Sequence, residues 1–172
     1  KLNSTNQNVK KLKFDLSDSS QRLQSINLNK EIMKIDNVEK LLQHYNEYRS
    51  KYDTINLATI FTKIGKLNGK QNDALLENKS SIDRILGDCE KRAGEFDPRG
   101  IANILSTMSK FKVLRKKELY VTFEDIIIRK INEFNSQELS NIVWAYSKAG
   151  VKSPSVFEAV EKEIPPKINE CN

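Results

Sequence analysis

The side chains with the clearest potential for chemistry are cations. Lys110, Lys112, Arg115, Lys116 and Lys117 fall within one short segment, while Lys63, Lys66 and Lys70 before it and Lys148 and Lys152 after it occupy comparable points of the chain. Cations spaced along one edge can follow a phosphate backbone, and such binding weakens with salt and reads little sequence. The competing reading is charge that merely keeps a surface hydrated. A second set lies along helix faces: Ile55, Thr59, Thr62 and Lys66, then Arg99, Asn103, Ser106 and Lys110, then Gln137, Asn141, Trp144 and Lys148. Amide, hydroxyl and cationic side chains in a row suit splayed single-stranded bases and phosphates. Polar residues opposite a buried stripe are equally what any surface helix carries. Trp144 can stack on a base, although packing against a neighbouring helix is the commoner use of such a residue.

Other chemistries find little support. His44 is the single histidine, and Cys89 and Cys171 stand far apart and form no CxxC pair. Neither pattern makes a metal site, and both cysteines read as reduced thiols. There is no Gly-rich phosphate loop and no nucleophile and base at useful spacing, so no enzyme, catalytic residue or cofactor is expected. The 172 residues carry 29 Lys and Arg against 23 Asp and Glu, a formal charge of +6 that favours acidic partners. No apolar window approaches the ~20 residues that a membrane-spanning helix needs, so no membrane insertion is expected.

The elements that must position these residues repeat. Tyr52-Asp53-Thr54-Ile55-Asn56-Leu57, Phe96-Asp97-Pro98-Arg99-Gly100-Ile101 and Phe134-Asn135-Ser136-Gln137-Glu138-Leu139 share one design. An aromatic residue precedes an Asp or Asn able to cap a helix, and an aliphatic residue five positions after the aromatic completes a hydrophobic staple. The stripes Leu57, Ile60, Phe61, Ile64, then Ile101, Ile104, Leu105, Met108, then Leu139, Ile142, Val143, Tyr146 predict one buried face per helix. These first helices are placed at 52–66, 97–110 and 135–148, with second helices near 72–93, 116–133 and 154–168, the last bent or shortened by Pro165-Pro166. An earlier helix from about 37 to 50 follows an Asp36-Asn37-Val38-Glu39 cap. The aromatic starts at 52, 96 and 134 lie 44 and 38 residues apart, and Lys130-Ile131-Asn132-Glu133-Phe134-Asn135 recurs 37 residues on at Lys167 to Asn172. Paired helices at this period predict an all-α fold, a short α-solenoid of stacked helical hairpins. It should occupy residues 28–172, with repeats starting near 52, 96 and 134 and a partial one at 171. Residues 1–27 are rich in Asn, Ser, Gln and Lys and are expected to be an extended polar tail ordered by a partner.

The stretch from Phe134 to Lys148, with Ile142-Val143-Trp144-Ala145-Tyr146-Ser147, resembles the repeat of RAP-domain, FASTK-like and octotricopeptide-type proteins, and Phe96 to Phe111 resembles a weaker copy. Residues Ile32 to Leu67 are similar to the N-terminal repeats of such proteins in apicomplexans. The resemblance implies an α-solenoid acting on organellar RNA in the mitochondrial matrix, or alternatively in a plastid. It departs from the family pattern in an insertion within the first interval and in having no RAP domain among these residues, which removes support for nuclease activity. The expectation is a non-enzymatic structural protein of a divergent mitochondrial ribosome. It would contact rRNA through Lys63, Lys66, Arg99, Asn103, Lys110, Lys112, Arg115, Lys116, Lys117, Gln137, Asn141, Lys148 and Lys152, beside neighbouring proteins of that ribonucleoprotein assembly. The alternatives are a freestanding RNA-processing or translation factor and a protein-binding scaffold subunit.

Overall fold

The computed structural model describes residues 19–66 and 72–169, with side chains for 19–66 and 73–163. Lys70, Cys171, residues 1–18 and the partial repeat at 171 lie outside the described residues. Among those described there is no strand. Helix α1 covers residues 19–34. It is followed by α2 (Val38–Tyr48), α3 (Thr54–Lys66), α4 (Asn72–Glu77), α5 (Lys79–Lys91), α6 (Pro98–Lys110), α7 (Lys117–Arg129), α8 (Ser136–Ala149) and α9 (Pro154–Asn169).

The three repeated starts share one mechanism. A single 3-10 turn, at Arg49–Lys51, Ala93–Glu95 and Ile131–Glu133, ends on the aromatic residue. The N–H of Tyr52, Phe96 or Phe134 donates to the carbonyl three residues back, and each ring is buried. The next residue caps the helix. Asp97 Oδ1 accepts from Gly100 N at 2.7 Å, with Pro98 at the first helical position where its missing N–H costs nothing. Asn135 and Glu138 exchange two hydrogen bonds of 2.9 Å in a full capping box. Asp53 and Asn56 do the same, at 2.8 and 3.2 Å.

Buried stripes follow the expected positions on α3 and α6, where all eight residues are nearly inaccessible. On α8 the stripe is Leu139, Ile142, Ala145 and Tyr146, and Val143 is only partly buried. The reason is placement. α6 packs between α3 and α8, whereas no first helix beyond α8 is described to cover the flank that carries Val143. The second helices form a companion series, α5 against α7 and α7 against α9.

Several boundaries differ from the sequence expectation. The expected tail at 1–27 is helical from residue 19, and α1 buries Ser25, Leu28 and Ile32. Its composition is polar because one face suffices: Asn56, fully buried on α3, donates to Ser25 O at 2.9 Å and to Asn29 Oδ1 at 2.8 Å. The cap of α2 is Asn37, which accepts from Lys40 N, and Asp36 stays exposed. The helix expected at 72–93 is broken at Asn78, whose side chain donates back to Ala74 O at 2.8 Å and competes with the helical ladder. The extra helix α4 is where the longer first interval goes. Helix α9 runs through Pro165 and Pro166 to Asn169 rather than stopping at them.

Close helix approach needs small residues. A Cβ on Gly65 of α3 would lie 2.7 Å from Thr107 Oγ1 of α6, and that hydroxyl donates to Phe61 O at 3.0 Å across the same interface. At the far end of α8, Gly150 adopts φ 70°, and the Gly150 and Val151 N–H groups close the last turn onto Ser147 O and Tyr146 O.

Candidate nucleic-acid interface

The cations expected to share one role divide into three groups. Lys63 and Lys116 are engaged within the protein: Lys63 Nζ donates to Met33 O at 3.0 Å, and Lys116 pairs with Glu90. These two tie α3 to α1 and the start of α7 to α5. Each ammonium group therefore already has a partner within the protein, which distinguishes these two from the other cations expected to meet phosphate.

A second group comes together in a groove of about 380 Å³ between α3 and α6, floored by Ala58 and Gly100. Thr59, Thr62 and Lys66 face it from α3, and Arg99 and Asn103 from α6. Met33 of α1 closes one side. The stripes read from the sequence as two separate helix faces are thus one surface. The hydroxyls of Thr59 and Thr62 donate to Ile55 O and Ala58 O, which leaves their oxygens as acceptors. Arg99, Lys66 and Asn103 make no side-chain hydrogen bond or ion pair among the described residues. Asp97 also borders the groove; its Oδ1 accepts from the Gly100 N–H, and its carboxylate adds one negative charge there.

The third group, Arg115, Lys117 and Lys152, borders a cavity of about 370 Å³ where the loop after α8 meets the start of α7. Lys117 and Lys152 are exposed, and Arg115 is half-buried, with one guanidinium N–H donating to Ser109 O at 2.7 Å. Lys110, Lys112 and Lys148 are exposed and have no side-chain partner among the described residues, and they border neither cavity. Gln137 and Asn141 share a hydrogen bond of 3.3 Å on α8, and Trp144 is 45% exposed on that helix. No described helix lies beyond α8 to take up Trp144, as for Val143.

Two polar clusters escaped the sequence reading. Asp88 of α5 accepts from Tyr45 at 2.7 Å and from two N–H groups of Arg49 at 2.7 and 2.6 Å, which locks α2 onto α5. The Arg49 guanidinium holds the Asp88 carboxyl below the ordinary carboxylate range, and burial pushes the Tyr45 phenol well up. His44 sits between Glu31, 3.0 Å from Nε2, and the Tyr52 hydroxyl at Nδ1. It joins α1, α2 and the 3-10 turn, a structural use. Only pairings more than thirty residues apart in sequence reveal the Asp88 cluster, and periodicity does not report these.

No group of three His, Cys, Asp or Glu side chains among the described residues is arranged to hold a metal ion, and no described helix is long and apolar enough to cross a membrane. A scan against protein-family models, a search of curated proteins and a search of solved structures each find no match.

Proposed function

We propose that the chain is a short α-solenoid that binds RNA chiefly through backbone phosphates and acts without catalysis. The observation that carries this is the set of exposed cations without a partner among the described residues, Lys66, Arg99, Lys110, Lys112 and Lys148, all on α3, α6 and α8 or the turn after α6, with Asn103 in the same groove as Lys66 and Arg99. Helices α3, α6 and α8 pack in sequence order, and α5, α7 and α9 do likewise, which is the neighbour-to-neighbour pattern of a helical-repeat array. Of these cations, Lys66 of α3 and Arg99 of α6 share one groove. Unpaired ammonium and guanidinium groups retain full charge toward a polyanion, whereas the charge of Lys116 is offset by Glu90; Lys63 keeps its charge but is held by the Met33 carbonyl. The resemblance of Phe134 to Lys148 to RAP-type repeats supplies the setting: a structural component of a mitochondrial ribosome contacting rRNA, with neighbouring proteins of the particle.

The test changes these five cations together to Gln and measures binding to single-stranded RNA over a salt series. Each lost phosphate contact should reduce the slope of log K against log salt by about 0.7. All five lie on the surface, so circular dichroism should be unchanged. Retention of full affinity and the original slope would overturn the reading. Co-sedimentation with ribosomal particles after gentle lysis tests the setting separately.

A further inference from the structure

The cavity between α7 and the loop after α8 holds an unexplained feature. Two buried side-chain polar atoms lack a hydrogen-bond partner among the described residues, Arg115 Nε and the Tyr120 hydroxyl, and both residues border this one cavity. Tyr120 is fully buried, and its ring meets Tyr146 edge-on at 5.2 Å, so its position is fixed by packing. Burial raises its phenol to about 12, which keeps the hydroxyl protonated and able to donate. Unsatisfied buried donors are rare in folded proteins and call for a partner. Lys117 and Lys152 add two exposed cations at the mouth, and no side chain caps the N-terminus of the 13-residue helix α7. Glu118 in the first turn of α7 is exposed and does not border the cavity. The walls contributed by Ala149 and Val151 are apolar and narrow the opening.

Donors at the back, cations at the mouth and a positive helix end select an anion with several acceptor oxygens. Recessed donors also select its form. A phosphodiester within a strand must leave in two directions, and its oxygens stay near the surface. A terminal monoester can enter end-on, and its oxygens meet Arg115 Nε and the Tyr120 hydroxyl, both closed to water in this structure, once the side chains around them yield. The geometry points to a phosphate monoester site in this cavity, with the 5′ end of an RNA strand as its source. The source, though not the site, rests on the RNA-binding reading given above.

The experiment compares one short RNA bearing a 5′-phosphate or a 5′-hydroxyl, with adenosine monophosphate and inorganic phosphate as competitors. Wild-type protein should prefer the 5′-phosphate by roughly tenfold, the value of one charge-assisted hydrogen bond. Tyr120→Phe removes only the hydroxyl and keeps the ring, and it should cut the preference severalfold while affinity for the 5′-hydroxyl RNA stays unchanged. Lys117→Gln with Lys152→Gln should do the same. Equal affinity for the two RNAs together with no competition by either small phosphate overturns the site, as does a preference untouched by both variants. Equal affinity with monophosphate binding that Tyr120→Phe weakens keeps the site and changes its source to a free nucleotide. Failure of the RNA-binding reading would look different: neither RNA binds, yet monophosphate still does in wild type and less in Tyr120→Phe.

Discussion

Asp88 shows how one side chain can decide the relation between two helices. It accepts three hydrogen bonds from Tyr45 and Arg49 while 18% of its side chain is exposed, so its charge is largely desolvated and fully partnered. The Arg49 guanidinium is 41% exposed, and the water around it reduces what the pair contributes. Asp88→Asn should therefore cost about 1 to 2 kcal/mol in urea denaturation at neutral pH. The sign of the pH dependence follows from the lowered carboxyl. Its stabilisation is complete above the unfolded value near 4 and fades as pH falls through the folded one. The gap between wild type and Asp88→Asn should then be constant from pH 6 to 8 and narrow progressively as pH falls below about 4. A gap that persists undiminished in acid would show that packing, not charge, carries the effect. The candidate site was legible at this scale only in outline. Residue type identified Lys66, Arg99 and Asn103, but nothing in the sequence separates them from Lys63 and Lys116, whose partners Met33 and Glu90 lie 30 and 26 positions away.

Local rules governed the elements well and packing governed the exceptions. The three capped starts were readable because aromatic, Asx and aliphatic residues recur at fixed short spacing, and α3, α6 and α8 begin within two residues of the expected points. The 3-10 turns before them were missed, since three-residue segments carry no periodic signal. Helix α1 was missed for another reason: it buries a narrow strip completed by Asn56, and amide-to-backbone bonds do not register as hydrophobic pattern. Gly65 marks the opposite case, where local preference and packing conflict. Ala in a helix interior is favoured over Gly by about 1 kcal/mol. The added Cβ would meet Thr107 Oγ1 at 2.7 Å, and overpacking of this kind costs about 1 to 3 kcal/mol. Gly65→Ala should on balance destabilise by about 1 kcal/mol, because the Thr107 hydroxyl is held by Phe61 O and cannot turn away without losing that bond. In a Thr107→Ala background the clash is gone, and the same change should stabilise. A double-mutant cycle by thermal denaturation reads the reversal, and the same sign in both backgrounds would remove Gly65 from the interface argument.

At the scale of the molecule, the question is how far a local change is felt. Helix α6 packs against both α3 and α8, while α1 at one end is held by Asn56, Lys63 and His44. In an array whose units contact only their neighbours, stability is a sum of unit and interface contributions, and end units open before central ones. Ile104 on α6 and Ile32 on α1 are the same residue type and equally inaccessible, so truncating either to Ala removes the same atoms and costs about 2 to 5 kcal/mol locally. The consequences should differ in reach. Ile32→Ala should speed amide exchange in α1, α2 and the facing turns of α3 and leave α8 protected. Ile104→Ala should weaken two interfaces at once and raise exchange in α3, α6 and α8 together. For a domain stable by about 5 to 15 kcal/mol, a central loss of this size is a large fraction of the total. Native-state hydrogen exchange on both variants separates an array from one indivisible core. If Ile32→Ala raised exchange in α8 as much as in α1, the helices would form a single cooperative unit and the solenoid reading would fall. If its effect stayed within α1, α2 and α3, the cations on α6 and α8 would keep their positions even while α1 opens, and under the proposed RNA-binding function Ile32→Ala should keep the wild-type salt slope.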